Sequence, residues 1–230
     1  MATEYGNKGI VTSGLTLCLD AGNLKSYPTS GTTWTNLTRS GNNGTLVSGP
    51  TFSSSNGGNI VFNGSTNTFN LGSFRLGTSD SFTISCYFKR NILSSMNNKY
   101  LLILDTTPIT GPTGRIWFGV IDESNVYGTL YNNTYYGTGK DYWQLATNNL
   151  KDSGWYELVL TQDRVGLTQR TYLNGVNVAT TVISTGLSTA NLPMRCTEIN
   201  ASISNLKIYN RALSASEVLQ NYNATKWRFQ

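Results

Sequence analysis

The heptapeptide Phe82-Thr-Ile-Ser-Cys-Tyr-Phe88 alternates large apolar residues with mostly polar ones at a period of two. Successive side chains of a β-strand point to opposite faces of its sheet. The four residues at even positions therefore share one face, and the three at odd positions share the other. This pattern predicts a strand with one face in a hydrophobic core.

Similar short runs recur along the chain between clusters of Gly, Asn, Ser and Pro, which is the spacing of an all-β sandwich or barrel. Within Thr171-Tyr-Leu-Asn-Gly-Val-Asn-Val178, an Asn-Gly pair between alternating runs predicts a type I′ hairpin turn. We predict a single all-β domain with strands at 14–19, 43–47, 59–63, 68–72, 81–90, 100–105, 115–120, 126–131, 141–146, 154–164, 168–174, 176–183 and 199–209.

One helix is predicted, near the C-terminus, over about 214–224. Ser214 and Glu217 have the spacing of a capping box, in which each side chain bonds the backbone N–H of the other residue. Leu213 and Val218 stand at the positions of a hydrophobic staple. We expect this short helix to dock on the sandwich and close one of its ends.

Charge and hydropathy exclude several partners. The net charge is +5, but Lys and Arg are scattered through the 230 residues and form no stripe that could follow a phosphate backbone, so we expect no nucleic-acid binding. The N-terminal residues lack an apolar signal region, and no apolar run reaches the roughly 18 residues of a membrane span. We expect neither secretion by that route nor membrane insertion.

The three cysteines, Cys18, Cys86 and Cys196, lack the spacing of a metal motif, and the chain contains no histidine. Structural zinc sites and acid–base chemistry by histidine are thereby excluded. Cys18 and Cys86 lie in strand-like runs, which predicts free buried thiols and synthesis in a reducing compartment.

Beyond these elements, segments in order along nearly the whole chain resemble the concanavalin A-like jelly rolls of the laminin G type, in the variant found in marine and cyanobacterial phage structural proteins. The resemblance implies a two-sheet jelly-roll β-sandwich with one short C-terminal α-helix. The matching segments are Leu17-Cys-Leu-Asp-Ala-Gly-Asn-Leu-Lys-Ser-Tyr-Pro28, Gly31-Thr-Thr-Trp-Thr-Asn-Leu37, Asn42-Asn-Gly-Thr-Leu46, Gly49-Pro-Thr-Phe-Ser53, Ile60-Val-Phe-Asn-Gly64, Phe82–Phe88, Tyr172-Leu-Asn-Gly175 and Ile203-Ser-Asn-Leu-Lys-Ile-Tyr-Asn-Arg-Ala-Leu-Ser214.

The resemblance also implies a calcium ion near the edge of the sandwich, held by two aspartates. At those positions this chain has Asn63 and Asn67, and calcium prefers anionic oxygen ligands. We therefore predict no cofactor and a severely weakened calcium site. Asp20 remains a weak candidate ligand, and the alternative is that its carboxylate caps a turn through backbone N–H groups.

Glucanases share the resembled fold, so the carboxylates test for catalysis. Retaining glycosidases hold two carboxyl groups about 5–5.5 Å apart, which residues at i and i+2 of a strand can supply. No Asp or Glu in this chain has another two positions away, and Asp122 and Glu123 are adjacent. We predict no catalytic residues, although a pair assembled across strands stays open.

Carbohydrate binding is the alternative to catalysis, because sugars stack their C–H faces on aromatic rings and bond amides and carboxylates. One region combines these groups, and the competing interpretation is ordinary strand packing around an Asn-rich turn. The predicted sugar-binding residues are Tyr127, Tyr131, Asn132, Asn133, Tyr135, Tyr136, Asp141, Tyr142 and Trp143.

The tail beyond the helix carries aromatic and basic residues typical of interface centres: Lys226, Trp227, Arg228 and Phe229. We predict that this tail and the arm before Val11 contact other chains. The alternative is that Trp227 and Phe229 fold back on their own sheet.

We expect an N-terminal arm over 1–12 and one sandwich domain over 13–230. The resemblance, the reduced cysteines and the absence of a leader together indicate a non-enzymatic structural protein of a phage virion, assembled in the host cytoplasm. We expect it to form a homo-oligomeric capsid or tail appendage that contacts other virion proteins and a host surface glycan. The alternatives are a carbohydrate-binding module of a cellular surface protein and, third, a glycoside hydrolase.

Overall fold

A computed structural model gives the architecture. Along 73–77, 90, 99–106, 115–124, 127–136, 139–145 and 191–196 the structure describes the backbone alone. The residues that the structure describes are 9–38, 40–63, 66–77, 80–91, 99–106, 115–124, 127–136, 139–145, 154–183, 191–196 and 200–230.

The described residues form sixteen strands, numbered here in chain order. Their bounds are β1 Leu15–Asp20, β2 Thr33–Trp34, β3 Gly44–Val47, β4 Thr51–Ser53, β5 Asn59–Val61, β6 Thr68–Gly77, β7 Phe82–Arg90, β8 Lys99–Thr106, β9 Arg115–Ser124, β10 Tyr127–Tyr136, β11 Gly139–Leu145, β12 Trp155–Asp163, β13 Thr168–Leu173, β14 Val176–Val182, β15 Asn191–Cys196 and β16 Ala201–Tyr209.

The strands form two antiparallel sheets. In the first sheet the order is β14-β13-β12-β7-β16-β5-β4, and β1 also pairs with β16. In the second sheet the order is β11-β10-β9-β8-β15-β6-β3-β2. Both sheets combine consecutive strands with pairs that are distant in the chain, such as β7 with β16 and β6 with β15, so the predicted two-sheet all-β class is confirmed.

The main core contains residues from both sheets. Ile84 and Phe88 of β7 belong to the same buried cluster as Trp34 and Phe69 of the second sheet. The Trp34 and Phe69 rings meet edge to face with centroids 5.8 Å apart, a favoured aromatic geometry. The predicted core face of β7 is confirmed, since all four of its even-numbered residues from 82 to 88 belong to this cluster.

The odd-numbered face of β7 is buried too. Thr83, Ser85 and Tyr87 are each at most 1% exposed. A second cluster covers this outer face of the first sheet and includes Leu213 and Val218 from the C-terminal region. Strands β7 and β16 are therefore covered on both sides, and every residue of β16 is buried.

The helix α1 spans Ala215–Thr225 and begins with the predicted capping box between Ser214 and Glu217. Arg211 donates to both carboxylate oxygens of Glu217, at 3.0 and 2.6 Å. The structure corrects one expectation, because Val218 packs α1 across the outer face of the first sheet and not at an end of the sandwich. Within the described ranges, no helix has the length and apolar character needed to span a membrane.

The described part of the N-terminal arm is tied to this helix. The Val11 N–H donates to Asn221 Oδ1 at 2.8 Å, and the Val11 carbonyl accepts from the Tyr209 hydroxyl at 3.0 Å. Gln220 Nε2 donates to the Gly9 carbonyl at 2.8 Å. Residues 1–8 lie outside the described part of the chain, and the arm's contacts with other chains stay a prediction.

Two cysteines with described side chains, Cys18 and Cys86, are free and buried, as predicted. Burial raises the pKa of both thiols, so both are poor nucleophiles.

The turn and strand predictions are confirmed in most places. Asn174 and Gly175 both have positive φ, 51° and 79°, as a type I′ turn requires. The sequence did not reveal β2, β4 and β15: the first two have two and three residues, and β15 contains Pro193. Strand β10 runs five residues beyond its predicted end at 131, because pairing with both β9 and β11 overrides the low strand propensity of asparagine.

Candidate functional site

An open cleft of about 730 Å³ lies where three distant segments meet. They are the end of β1 with the loop after it, the 3₁₀ turn Ser55–Gly57, and the 3₁₀ turn Lys226–Arg228 that follows α1. The lining residues are Asp20, Gly22, Asn23, Leu24, Lys25, Gly57, Trp227 and Arg228.

The loop after β1 is held by its own polar side chains. Asp20 Oδ1 accepts from the Gly22 N–H at 2.9 Å, and Asn23 Oδ1 accepts from the Lys25 N–H at 3.0 Å. The buried Ser26 hydroxyl accepts from the Asp20 N–H and donates to the Thr35 carbonyl. These bonds fix one wall of the cleft and leave the side chains of Leu24 and Lys25 exposed.

The floor of the cleft is an ion pair. Arg228 Nη1 donates to both oxygens of Asp20, at 3.0 and 2.9 Å. Its Nη2 donates to the Gly57 carbonyl and to the Ser204 hydroxyl, both at 3.1 Å. The Arg228 side chain is only 11% exposed, so this guanidinium joins all three segments of the site.

The absence of a side chain at Gly22 leaves room for the Arg228 guanidinium. A Cβ at position 22 would stand 1.9 Å from the Gly57 oxygen and 2.1 Å from Arg228 Nη2. Both distances are far inside van der Waals contact, so a residue with a side chain at position 22 would displace the guanidinium.

Trp227 lies at the rim, 67% exposed. Its indole N–H donates to the Ala224 carbonyl at 3.0 Å, which fixes the ring without covering it. An exposed ring held in one orientation offers an apolar face to a ligand at little cost in conformational entropy.

The next aromatic residue of the tail is docked on the first sheet. The Phe229 ring stacks on Tyr87, with centroids 4.3 Å apart, and packs on Trp155 at 4.9 Å. Asn56 reinforces the docking, because it accepts from the Trp155 indole N–H at 3.0 Å and donates to the Arg228 carbonyl at 3.3 Å.

These contacts bear on the predicted interface. Arg228 and Phe229 are engaged within the chain, and Lys226 Nζ lies 5.4 Å from the centre of the Tyr222 ring. Trp227 is the predicted interface residue that stays well exposed. Contact between the tail and other chains remains a prediction.

The predicted sugar-binding residues lie on two paired strands at the edge of the second sheet. Tyr127, Tyr131, Asn132, Asn133, Tyr135 and Tyr136 are on β10, and Asp141, Tyr142 and Trp143 are on β11. The register sets Asn133 opposite Tyr142 and Asn132 opposite Trp143. The backbone brings these residues into one hairpin, whose side chains lie outside the described part of the structure.

The residues proposed for calcium have other partners. The Asp20 carboxylate is held by Arg228 and accepts from the Gly22 N–H, as the turn-capping alternative required. Asn63 and Asn67 each accept from the other's backbone N–H, and Asn67 also donates to the Ser48 carbonyl. Two neutral amides and one carboxylate already paired with Arg228 do not fit calcium, which prefers anionic oxygen ligands. Among the described residues no group of three Asp, Glu, Cys or His side chains could hold a metal ion.

Three other described carboxylates also make structural contacts. Glu217 pairs with Arg211, and Asp163 accepts from the N–H groups of Val165 and Gly166. Glu157 is completely buried and accepts from the Ser85 hydroxyl at 2.9 Å. None of these three carboxylates lines the cleft.

Sequence reasoning missed the cleft. It offered Asp20 as a turn cap or a weak metal candidate and Arg228 as an interface candidate, whereas the fold joins these residues across 208 positions. The local sequence around either residue carries no sign of this contact.

Comparison with known proteins gives a family and a fold. Residues 63–219 match the family described as the concanavalin A-like lectin/glucanases superfamily. A comparison with curated protein sequences gave no match.

Three solved structures illustrate the fold. The binding domain of Paraclostridial Mosquitocidal Protein 1 aligns with a TM-score of 0.65 and 17% identity over 92% of this chain, which spans 52% of that chain. Domain 4 of AbnA, a GH43 extracellular arabinanase from Geobacillus stearothermophilus, was solved in complex with arabinotriose. It aligns with a TM-score of 0.63 and 16% identity, and the alignment covers 91% of this chain and 98% of that domain. Trypanosoma rangeli sialidase in complex with sialic acid aligns with a TM-score of 0.62 and 14% identity. The alignment covers 96% of this chain and 34% of the sialidase chain.

Proposed function

The chain belongs to the concanavalin A-like lectin/glucanases superfamily, and from that premise we propose that it is a non-enzymatic domain that binds carbohydrate. The observation that carries this proposal is the fixed, exposed indole of Trp227 above the Asp20–Arg228 pair. Sugars offer apolar C–H faces for stacking and hydroxyls for polar partners, and the cleft supplies both kinds of group.

Binding fits this site better than hydrolysis does. Glycoside hydrolysis needs two carboxyl groups, one of them free to donate a proton. Among the side chains that the structure describes, Asp20 is the one carboxylate that lines the cleft, and it is paired with a guanidinium at 2.9 Å. A ligand here would be oriented and held, without a group to protonate a leaving oxygen.

The β10–β11 hairpin is proposed as a second sugar contact. Its register pairs an amide with an aromatic residue at two successive positions, Asn133 with Tyr142 and Asn132 with Trp143. Residues directly opposite in an antiparallel pair share one face of the sheet. Each pair therefore combines the two kinds of group that a pyranose or furanose ring needs.

Titration of glycans into the intact chain tests the proposal. Arabinotriose and sialic acid are the first ligands to try, because they occupy domain 4 of AbnA and Trypanosoma rangeli sialidase respectively. Loss of a ring face that covers a ligand removes roughly 1.5–3 kcal/mol of apolar burial. We therefore expect Trp227→Ala to raise Kd by about 10- to 100-fold.

Val165→Ala is the matched control, because Val165 is 94% exposed and lies outside the cleft. Val165→Ala should bind like the wild type. Equal affinity of the wild type and Trp227→Ala for every bound glycan would exclude this cleft and direct the test to Tyr142→Ala in the hairpin. Failure of a broad glycan array to bind the wild type, or turnover of a bound glycan, would overturn the proposal itself.

We further propose that the domain serves as a structural protein of a phage virion, assembled in the host cytoplasm with other virion proteins and with copies of itself. Two buried, unpaired cysteines support synthesis in a reducing compartment. The sequence resemblance to phage structural proteins supports the same proposal. The competing assignment is a carbohydrate-binding module of a cellular surface protein.

Imaging of the assembled particle separates these assignments. Density for this fold at a fixed, repeated position on a capsid or tail would support the virion proposal. Detection of the chain on a cell surface, with none in particles, would refute it in favour of the cellular module.

A further inference from the structure

Three polar side chains on the outer face of the first sheet are buried. Glu157 of β12 is 0% exposed, Asn205 of β16 is 1% exposed and Lys207 of β16 is 2% exposed. None of them lines the cleft described above. Charged groups are costly to bury, so their presence in the interior calls for a specific role.

Strand register brings the three residues together. Tyr87 in the middle strand β7 faces Glu157 on one side and Asn205 on the other. Lys207 follows Asn205 by two positions, so both side chains lie on the same face of β16. Ser85 of β7, opposite Lys207, donates its hydroxyl hydrogen to Glu157 Oε1 at 2.9 Å.

The amine of Lys207 lies close to both of the other groups. Lys207 Nζ donates to Asn205 Oδ1 at 2.9 Å, which leaves the amine nitrogen beside the side-chain carbonyl of Asn205. Glu157 Oε1 lies 4.0 Å from the same nitrogen. In the described structure Glu157 Oε2 and Asn205 Nδ2 have no hydrogen-bond partner, although both are buried.

Aromatic rings cover the group. Lys207 Nζ is 5.9 Å from the centre of the Tyr87 ring, and Phe229 and Tyr222 stack against Tyr87 in turn. The site therefore combines an amine, a carboxamide and a carboxyl group in an environment from which water is excluded.

We propose that Lys207 and Asn205 become joined by an amide bond between their side chains, and that Glu157 carries the proton for this step. The chain would form this bond by itself after folding, since folding is what encloses the three groups. The sugar-binding proposal does not depend on this bond, and neither proposal requires the other.

The reaction balances without a cofactor. The unprotonated Nζ of Lys207 attacks Cγ of Asn205 and forms a C–N bond. The C–Nδ2 bond of Asn205 then breaks, and Glu157 transfers the proton lost by Nζ to the departing nitrogen, which leaves as ammonia. The products are one secondary amide and one ammonia, Glu157 ends in its starting state, and no atom is oxidised or reduced.

The buried environment favours the protonated form of Glu157. Burial is the largest cause of a raised pKa at Glu157, so the carboxyl group holds a proton more readily than in water. Among the described residues, Asn205 Nδ2 has no hydrogen-bond partner to lose before it departs.

Mass spectrometry of the intact protein tests the proposal. The bond predicts a mass lower than that of the sequence by about 17 Da, one ammonia. After denaturation, trypsin should fail to cleave after Lys207, and the peptide spanning 196–211 should carry the mass difference. Full sequence mass together with complete cleavage after Lys207 would overturn the proposal.

Asn-Gly sequences such as Asn56-Gly57 and Asn174-Gly175 can also lose ammonia by closing to a succinimide. Mild alkali reopens a succinimide but leaves an amide bond intact. The loss assigned to 196–211 must therefore survive alkaline incubation, and a loss that disappears or maps elsewhere contradicts the proposal.

Variants assign the roles. Glu157→Gln should restore the full mass and the cleavage after Lys207, whereas Glu217→Gln, at a carboxylate on the protein surface, should keep the loss of ammonia. Asn205→Ala removes the carbonyl that is attacked and should also restore full mass, which provides a second test if Glu157→Gln does not fold. Persistence of the mass loss in Asn205→Ala would refute the assignment of the bond.

Discussion

Replacing Gly22 by alanine should break the floor of the candidate cleft. The new Cβ would stand 1.9 Å from the Gly57 oxygen and 2.1 Å from Arg228 Nη2. The Gly57 oxygen belongs to the backbone and cannot move freely, so the Arg228 side chain has to leave. Its departure would remove the Asp20 ion pair and the bonds to Gly57 and Ser204.

Two terms give the size of the effect. Overpacking of a closely packed site costs about 1–3 kcal/mol. Loss of a hydrogen bond to a charged group costs about 1.5–3 kcal/mol, and partial exposure of Asp20, at 25%, places this pair at the low end. A total near 3 kcal/mol corresponds to a fall in Tm of about 6–12 °C for a domain of this size.

Thermal unfolding followed by circular dichroism measures the effect. Gly9→Ala is the matched control, because a Cβ at that position meets nothing within 4 Å. Gly22→Ala should also weaken glycan binding, since the displaced Arg228 adjoins Trp227. An unchanged Tm in Gly22→Ala would show that the close packing of these three segments is wrong.

Three further predictions concern ions, pH and the tail. Millimolar calcium should leave Tm unchanged, because Asn63 and Asn67 are neutral and Asp20 is paired with Arg228; a strong rise in Tm with calcium would contradict this. Hydrogen bonding from Arg211 lowers the pKa of Glu217 from 4.5 to about 2, so its contribution to stability should be complete above pH 4.5 and disappear as the pH falls toward 2. Chemical denaturation across that range should show this loss, of about 0.5–1 kcal/mol, in the wild type and not in Glu217→Gln. Trp227→Ala should leave Tm nearly unchanged, because Trp227 is exposed, yet it should weaken assembly with other chains. Deletion of 226–230 should weaken assembly and also lower Tm, because it removes the Phe229 ring from Tyr87. Normal assembly of Trp227→Ala would exclude the tail as an interface.

The sequence predicts those parts of the fold that depend on neighbours along the chain. Alternation from Phe82 to Phe88 identified the core face of β7, and Ser214 with Glu217 identified the start of α1. Both patterns reflect contacts within a few residues. Asn174-Gly175 predicted its turn for the same reason, since positive φ at both positions is a local requirement.

Contacts between distant segments were beyond the reach of that reasoning. The alternation of β7 indicates that Tyr87 faces away from the core, but it cannot show that Tyr222 of α1 and Phe229 of the tail stack on its ring. The position of Phe229 is set by packing on Tyr87 and Trp155, and that of Arg228 is set by its ion pair with Asp20. Each residue alone was equally compatible with an interface between chains.

The covered outer face links the two proposals physically. Phe229 shields Tyr87 above the buried group that contains Lys207, while the preceding Arg228 fixes the backbone beside Trp227. The short tail therefore excludes water from the buried group and also positions the Trp227 ring at the cleft. Because both contacts depend on docking of the tail, a variant that detaches it should impair both sites, whereas Trp227→Ala and Asn205→Ala should each impair one. Glycan affinity and the loss of ammonia should both be measured in Trp227→Ala, in Asn205→Ala and in the chain that lacks 226–230. The comparison shows whether the two sites fail together, because the tail is detached, or independently of each other.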